Sequence, residues 1–359
     1  MNVAVIGGGN IGTLLAGELS AKGNEIRIYT SKPALWSDEI QVLDEEESLL
    51  YCGKPNLCSD NMEAVLKDAE LVFVAVPSFL FQETAVKMEP YVTPGMIVCI
   101  VPGSGGAELY FNGCVQKGII LCGMQRVHAL ANLVEYGKCV NRNGKKKSLQ
   151  IGMLANGYIS GEELAERMQR LLDIPCTALP NYLCVTLVPS NPILHTSRLY
   201  RIFKDYQGKG YAEQKPMYDT WDDETSEILF QCDDELQEIC GRLDKLDLTS
   251  VQSLKIYYEN DTPSAFAAKI RSIRSFQGRL APMVLEKDGW HPDFSSRLFV
   301  ADFEYGLSLM AELGDIAEVE TPAMDQLLGW YEKVTGKTIQ RRMNGWKLED
   351  IYNCYNGKG

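Results

Sequence analysis

Apolar residues in the first half of the chain fall in short unbroken runs rather than in alternation. The runs are Val3–Ile6, Glu25–Tyr29, Leu71–Val76, Met96–Val101, Ile119–Cys122 and Leu149–Leu154, rich in β-branched residues and bounded by Gly, Pro or Asn. Runs without polar alternation suit strands covered on both faces and predict a mostly parallel sheet. Between the first two, Ile11, Leu14, Leu15 and Leu19 form the stripe of a helix over about Asn10–Lys22, stopped by Gly23. Another helix is expected from Ser160, where Ser-Gly-Glu-Glu163 spells a capping box ahead of Leu164, Met168, Leu171 and Leu172. Strand, helix, strand in repetition predicts a doubly wound α/β domain.

After about Asn181 the strand-like runs disappear and helical spacing takes over. Helices are predicted over Asp233–Leu246, Pro263–Asp288, Ala301–Leu313 and Thr321–Thr335, the last with Thr321 as N-cap and Pro322 at its first position. The expected architecture is an N-terminal dinucleotide-binding domain over residues 1–180 and a mainly α-helical substrate and catalytic domain over 181–359. The basic run Lys145-Lys-Lys147, after Asn143-Gly144, reads as a solvated turn.

The segment joining the first strand to the first helix is Gly7-Gly8-Gly9-Asn10-Ile11-Gly12. Gly-x-Gly-x-x-Gly in that setting is the Rossmann fingerprint: Gly7 for the tight turn, Gly9 for backbone approach to a pyrophosphate, Gly12 for close helix packing. Asn10 and Ile11 open the helix whose free N–H groups face the phosphates. A site selective for NAD usually has an acid at the end of the second strand to hold the ribose 2′-hydroxyl. Here that strand runs into Thr30-Ser31-Lys32, which suits a 2′-phosphate, so NADP(H) is expected over NAD(H). Pro77 in Val76-Pro77-Ser78 and Gly103 in Val101-Pro-Gly-Ser-Gly-Gly106 end later strands and are expected to border the nicotinamide half.

Composition narrows the function classes. At 359 residues and a net charge of −13, the chain has room for two domains and the wrong sign for bulk nucleic-acid binding. Its 11 cysteines include no Cys-x-x-Cys, and none of the 3 histidines stands at a zinc spacing, so reduced thiols and no metal site are expected. No run approaches the roughly 18 to 20 apolar residues of a membrane span, and Met1 leads directly into a strand. A soluble, cytoplasmic protein is expected, without membrane or nucleic-acid partners; a homodimer is left open as the assembly.

A dehydrogenase needs a group that titrates near neutrality, and three histidines can be weighed for it. His128 lies in the first domain, and His291 in Gly289-Trp-His-Pro-Asp293 reads as a surface turn. His195, in Asn191-Pro-Ile-Leu-His195, follows the domain change and is expected near the cleft between the domains. Arg297 and Asp302 in Ser296-Arg-Leu-Phe-Val-Ala-Asp-Phe-Glu-Tyr-Gly306 offer a carboxylate clamp and a partner for a histidine ring nitrogen, with a surface Arg and a capping Asp as the alternative. Gln125 is a candidate contact for a substrate carboxylate, and Trp221, Trp290 and Tyr305 are candidates for an amine pocket or for core.

Taken in order, the glycine loop, Val-Pro-Gly-Ser-Gly-Gly, Asn-Pro-x-x-His and Arg-(x)4-Asp-x-x-Tyr-Gly-Leu resemble the opine (octopine/nopaline) dehydrogenase family from residue 1 to about 335. The resemblance implies reductive condensation of an α-keto acid with the amino group of an amino acid through an imine, using NAD(P)H, or the reverse reaction. It implies His195 as general acid/base, Asp302 as its dyad partner and Arg297 as anchor of the keto-acid carboxylate. Leu298, Ala301, Glu304 and Thr196 depart from the family's usual residues. Two alternatives stand beside it. One is a ketopantoate-type 2-keto-acid reductase relying on a lysine such as Lys204, Lys215, Lys255 or Lys269. The other is a non-enzymatic NADPH sensor.

Overall fold

The structure is a computed structural model that describes residues 1–356. Its residues form two compact units, Met1–Thr186 together with 353–356, and Leu187–Tyr352. The split falls just beyond residue 180, and the end of the chain groups with the first unit. Tyr355 accounts for that grouping, since its hydroxyl donates to Glu108 at 2.6 Å.

The strands of the first unit are β1 (Asn2–Ile6), β2 (Glu25–Tyr29), β3 (Ile40–Leu43), β4 (Leu49–Gly53), β5 (Leu57–Ser59), β6 (Leu71–Val74), β7 (Ile97–Ile100), β8 (Ile120–Met124), β9 (Ala129–Glu135), β10 (Cys139–Lys145), β11 (Leu149–Met153) and β12 (Cys176–Ala178). Eight of them make the main sheet in the order β12-β11-β8-β7-β6-β1-β2-β5. Every pair is parallel except β11 on β8. Its central strands are buried apart from Asn2, as unbroken apolar runs require. The chain leaves β1 to one side for β2 and later returns on the other for β6, so the glycine loop after β1 stands at the switch point where doubly wound sheets bind ligands.

A second sheet, β4-β3-β10-β9, was not legible in the sequence. Its β3 and β9 alternate buried and exposed residues, burying one face only. That face covers helix α1 (Asn10–Ala21): Leu14 packs with Val42, Ala129, Ala131 and Val140, while Leu15, Ala16 and Leu19 enter the main core. Buried Glu18 of α1 ties the layer down, with Oε2 at 3.0 Å from His128 Nε2 and Oε1 accepting from Arg142 at 2.7 Å. The basic run at 145 is therefore not simply a turn. Lys145 is the last residue of β10, and Asn143-Gly144 lies at a register irregularity inside that strand.

Ser160 caps the Gly161–Leu172 helix as expected, accepting from Glu163 N at 3.1 Å; the Glu163 side chain instead pairs with Arg167 at 2.6 Å. All 11 cysteines are free, five of them buried, five half-buried and Cys52 exposed.

The second unit is mainly helical, with three departures from expectation. The helix expected from Asp233 starts at Asp223 and runs to Arg242, capped by Asp222, whose side chain accepts from Thr225 N at 3.0 Å. Its first turn is buried through polar Thr225 and Ser226, so the apolar stripe began too late to show the start. The helix expected over Pro263–Asp288 ends at Ser272, and Met283–Glu286 pairs antiparallel with Gly289–Pro292. Gly278 and Gly289, both at positive φ, and Pro282 remove the helical option there. His291 accordingly sits in a strand, half-buried, with Nδ1 at 2.6 Å from the Tyr206 hydroxyl. The helix expected over Ala301–Leu313 begins at Arg297, widens to a π-helix over Val300–Leu307 and continues as Ser308–Ala317. Pro322 opens the last predicted helix, Pro322–Thr335, as expected. Thr321 makes no side-chain cap there; the Glu235 carboxylate accepts from Ala323 N and Met324 N at 2.6 and 3.0 Å.

Candidate active site

The glycine loop has the geometry that its residue types require. A Cβ on Gly12 would stand 1.8 Å from the Gly7 carbonyl oxygen, and one on Gly7, at φ +111, would stand 2.7 Å from that of Ala75. Gly9 faces open space, with nothing within 4 Å of its would-be Cβ. It is also the N-cap of α1, which has neither a side-chain cap nor an acid in its first turn. The first-turn N–H groups are thus left for an anion, and the residues present fit a dinucleotide pyrophosphate. Asn10 turns its Oδ1 to accept from Leu133 N at 3.1 Å, and Ile11 packs between the two cores, so both hold the loop against β9 and the sheet.

Past the end of β2, Thr30 is buried while Ser31 and Lys32 are exposed. The Thr30 hydroxyl lies 2.6 Å from that of Tyr136, at the β9–β10 turn, a neighbour that no sequence signal gave. Pro77 caps a short turn over Ser78–Leu80, and Ser78 Oγ is buried with no partner among the described residues. Gly103 is wedged at the end of β7, where a Cβ would stand 2.6 Å from Val185 and 2.8 Å from Gly123. Its carbonyl accepts from Tyr182 at 3.0 Å. Gln125 is buried, and its amide donates to the Cys184 carbonyl at 2.8 Å. The structure thus gives that amide an anchoring partner within the first unit.

In the second unit, His195 lies in the first turns of the Pro192–Phe203 helix, its backbone N donating to Asn191 O at 3.0 Å. This helix lies close against the π segment because Gly306 has no side chain; a Cβ there would stand 2.7 Å from Pro192. The opposite flank of the π segment is held by Phe303 stacked on Tyr331 at 4.7 Å and by Glu304, which accepts from Tyr331 at 2.6 Å and Lys337 at 3.0 Å. Between these supports, Asp302 Oδ2 meets His195 Nδ1 at 2.7 Å, with both side chains about one-seventh exposed. A carboxylate at this distance suits a proton on Nδ1, and Nε2 has no partner among the described residues. π-Helical turns are rare and recur at functional sites.

Arg297 opens the helix that carries Asp302; it is exposed and has no hydrogen-bond or ion-pair partner among the described residues. By contrast, Lys204 lies 3.7 Å from Glu224, Lys255 pairs with Asp234 at 2.6 Å and Lys215 sits over the Tyr211 ring. Three of the four lysines considered for a reductase are therefore engaged elsewhere. Trp221 is core, with its indole N–H donating to Ser226 at 3.0 Å; Trp290 bridges Tyr211, and Tyr305 lies under the Arg342 guanidinium.

A doubly wound domain with a phosphate-ready glycine loop, joined to a helical unit carrying a His–Asp pair, defines an oxidoreductase that uses a nicotinamide dinucleotide. Residues 178–335 match the family profile described as NAD/NADP octopine/nopaline dehydrogenase, alpha-helical domain, and residues 2–130 match that of the NAD-dependent glycerol-3-phosphate dehydrogenase N-terminus. Its second half thus carries the alpha-helical domain of the octopine/nopaline dehydrogenases. It is 26% identical over 280 residues to an opine dehydrogenase of Haliotis discus hannai, covering 74% of this chain and 69% of that one. To an octopine dehydrogenase of Mizuhopecten yessoensis it is 23% identical over 364 residues, covering 94% and 90%. The solved octopine dehydrogenase with NADH and L-arginine has the same fold, at a TM-score of 0.84, 21% identity and 97% coverage of each chain. No helix among the described residues is long and apolar enough to cross a membrane.

Proposed function

We propose that this protein condenses an α-keto acid with the amino group of an amino acid and reduces the resulting imine to an N-(carboxyalkyl)amino acid, preferring NADPH to NADH. The observation that carries the catalytic assignment is the 2.7 Å contact of His195 with Asp302 in the helical unit, beside an unpaired Arg297 on the Asp302 helix. Arg297 binds the keto-acid carboxylate, whose two oxygens match a guanidinium fork, and so fixes the keto carbon in one orientation. His195 Nε2 takes the proton released when the amine adds to the carbonyl. As an imidazolium steadied by Asp302, it returns that proton to the hydroxyl that leaves as water. The loop Gly7, Gly9 and Gly12 with the α1 N-terminus, including Asn10 and Ile11, holds the pyrophosphate, and Pro77 and Gly103 shape the strand ends nearby. The bound reduced nicotinamide supplies the hydride for the imine carbon. One keto acid, one amine, one reduced dinucleotide and one proton thus give one secondary amine, one oxidised dinucleotide and one water.

The NADPH preference rests on the end of β2, where Thr30, Ser31 and Lys32 present hydroxyls and a cation and no carboxylate. The experiment is oxidation of NADPH and of NADH over a matrix of keto acids against amino acids. Turnover that requires both an acid and an amine, at higher kcat/KM with NADPH, is expected. Turnover with a keto acid alone would replace the reading with a simple reductase, and equal or better kcat/KM with NADH would remove the cofactor preference.

A further inference from the structure

The second sheet delivers one side chain onto the glycine loop. Tyr136, at the β9–β10 turn, places its hydroxyl 2.7 Å from where a Cβ of Gly8 would stand and 2.6 Å from the Thr30 hydroxyl. Lys32 Nζ lies 5.9 Å from the centre of the same ring, and Trp36 meets it edge-on at 5.9 Å. The turn is locked in place: Gly137, at φ +69, would put a Cβ 2.8 Å from Trp36, and its carbonyl accepts from Ser37 N at 3.0 Å. Gly8 is therefore confined to glycine by a residue far along the chain, and Tyr136 stands over the first turn beyond β2. In doubly wound dinucleotide domains that turn meets the 2′ position of the adenosine ribose.

We infer that Tyr136 is a cofactor-contacting residue that reads the 2′ substituent of the adenosine ribose. The Thr30 and Tyr136 hydroxyls share one hydrogen bond, and with buried Thr30 as its donor the Tyr136 proton is left to donate outward. An outward O–H beside Lys32 suits a 2′-phosphate, which only accepts, better than a ribose hydroxyl already satisfied by water. Trp36 and Gly137 hold the ring so that the donor is set before the cofactor arrives, which limits the ordering cost of binding. The inference uses only the fit of the loop to a nicotinamide dinucleotide; it does not depend on which one the wild type prefers.

The test is Tyr136→Phe in the full chain, which keeps the ring against Trp36 and Lys32 and removes the hydroxyl. Dissociation constants for NADPH and NADH are measured by titration calorimetry without substrate. The NADPH-over-NADH affinity ratio should fall about tenfold or more, the scale of one lost hydrogen bond to a charged group. If Tyr136 only pins the turn, Tyr136→Phe shifts both constants together or shifts the melting temperature alone, and an unchanged ratio overturns the inference. A wild type that binds NADH more tightly would count against the proposed preference, while the change of ratio in Tyr136→Phe still decides the role of Tyr136.

Discussion

His195 Nδ1 and Asp302 Oδ2 lie 2.7 Å apart although 107 positions separate them in the chain. The contact exists because two helices approach closely, and it leaves a single ring nitrogen available for chemistry. Removing the histidine, as His195→Ala, should lower kcat by about two to four orders of magnitude, the range for a lost general acid/base. Asp302→Asn should keep the packing but lose tautomer control and cost at least about tenfold in kcat. Steady-state kinetics beside circular dichroism checks both; a drop below tenfold for His195→Ala in a folded protein ends the assignment.

Arg297 offers a guanidinium with no partner among the described residues, so its loss disturbs no bond seen there. Arg297→Ala should raise KM for the keto acid while leaving the melting temperature close to the wild type. Arg297→Lys should recover only part of the affinity, because an ammonium cannot bind a carboxylate bidentately. An unchanged KM for the keto acid in Arg297→Ala would take this residue out of the site.

Gly306 sets the distance between the helices that carry His195 and Asp302. Even an alanine would place its Cβ 2.7 and 2.8 Å from Pro192 side-chain carbons, and a rigid proline ring cannot yield as a flexible side chain would. Gly306→Ala should therefore destabilise by about 1–3 kcal/mol through overpacking and should lower kcat by displacing His195 from Asp302. Thermal unfolding and kinetics on one preparation test this; unchanged kcat would show that the helix spacing is not critical.

Glu108 is fully buried, and that burial raises its carboxyl to about 7, against the lowering effect of hydrogen bonds from Thr186 and Tyr355. In the unfolded chain the group titrates near 4.5, so between about pH 4.5 and 7 the folded state holds a proton that the unfolded state has released. Its contribution to stability is therefore full at the acid end of that window and is lost as the pH rises toward 7, by up to about 3 kcal/mol. Asp233, also raised to about 7 by burial, acts with the same sign. Denaturant unfolding at pH 5.5 and 8.0 should show a smaller loss in Glu108→Gln than in the wild type, the difference isolating Glu108. Equal losses would mean that Glu108 ionises in the unit as freely as in water.

Several elements were legible because each rests on neighbours in the chain. Unbroken apolar runs, one amphipathic stripe, Ser160 as a cap and Gly-x-Gly-x-x-Gly between strand and helix all carry local signals, and each element stands where the runs and caps placed it. The second sheet carried none, since its strands bury a single face against α1, which the sequence shows as already having a core to fill. The start of the Asp223–Arg242 helix was hidden for a related reason: Thr225 and Ser226 are buried by hydrogen bonding rather than by apolar character.

The sequence by itself determined the class of fold, the glycine loop and the residue types capable of acid/base and carboxylate chemistry, because chain geometry and side-chain chemistry are local properties. Tertiary structure alone decided the relationships between distant positions. Gly306 against Pro192 brings His195 to Asp302, Tyr136 from the second sheet stands over Gly8 and Thr30, and Glu235 rather than Thr321 caps the Pro322–Thr335 helix. Each of these depends on close approach between segments remote in the chain, and such approach is set by how whole faces pack, which no window of sequence contains.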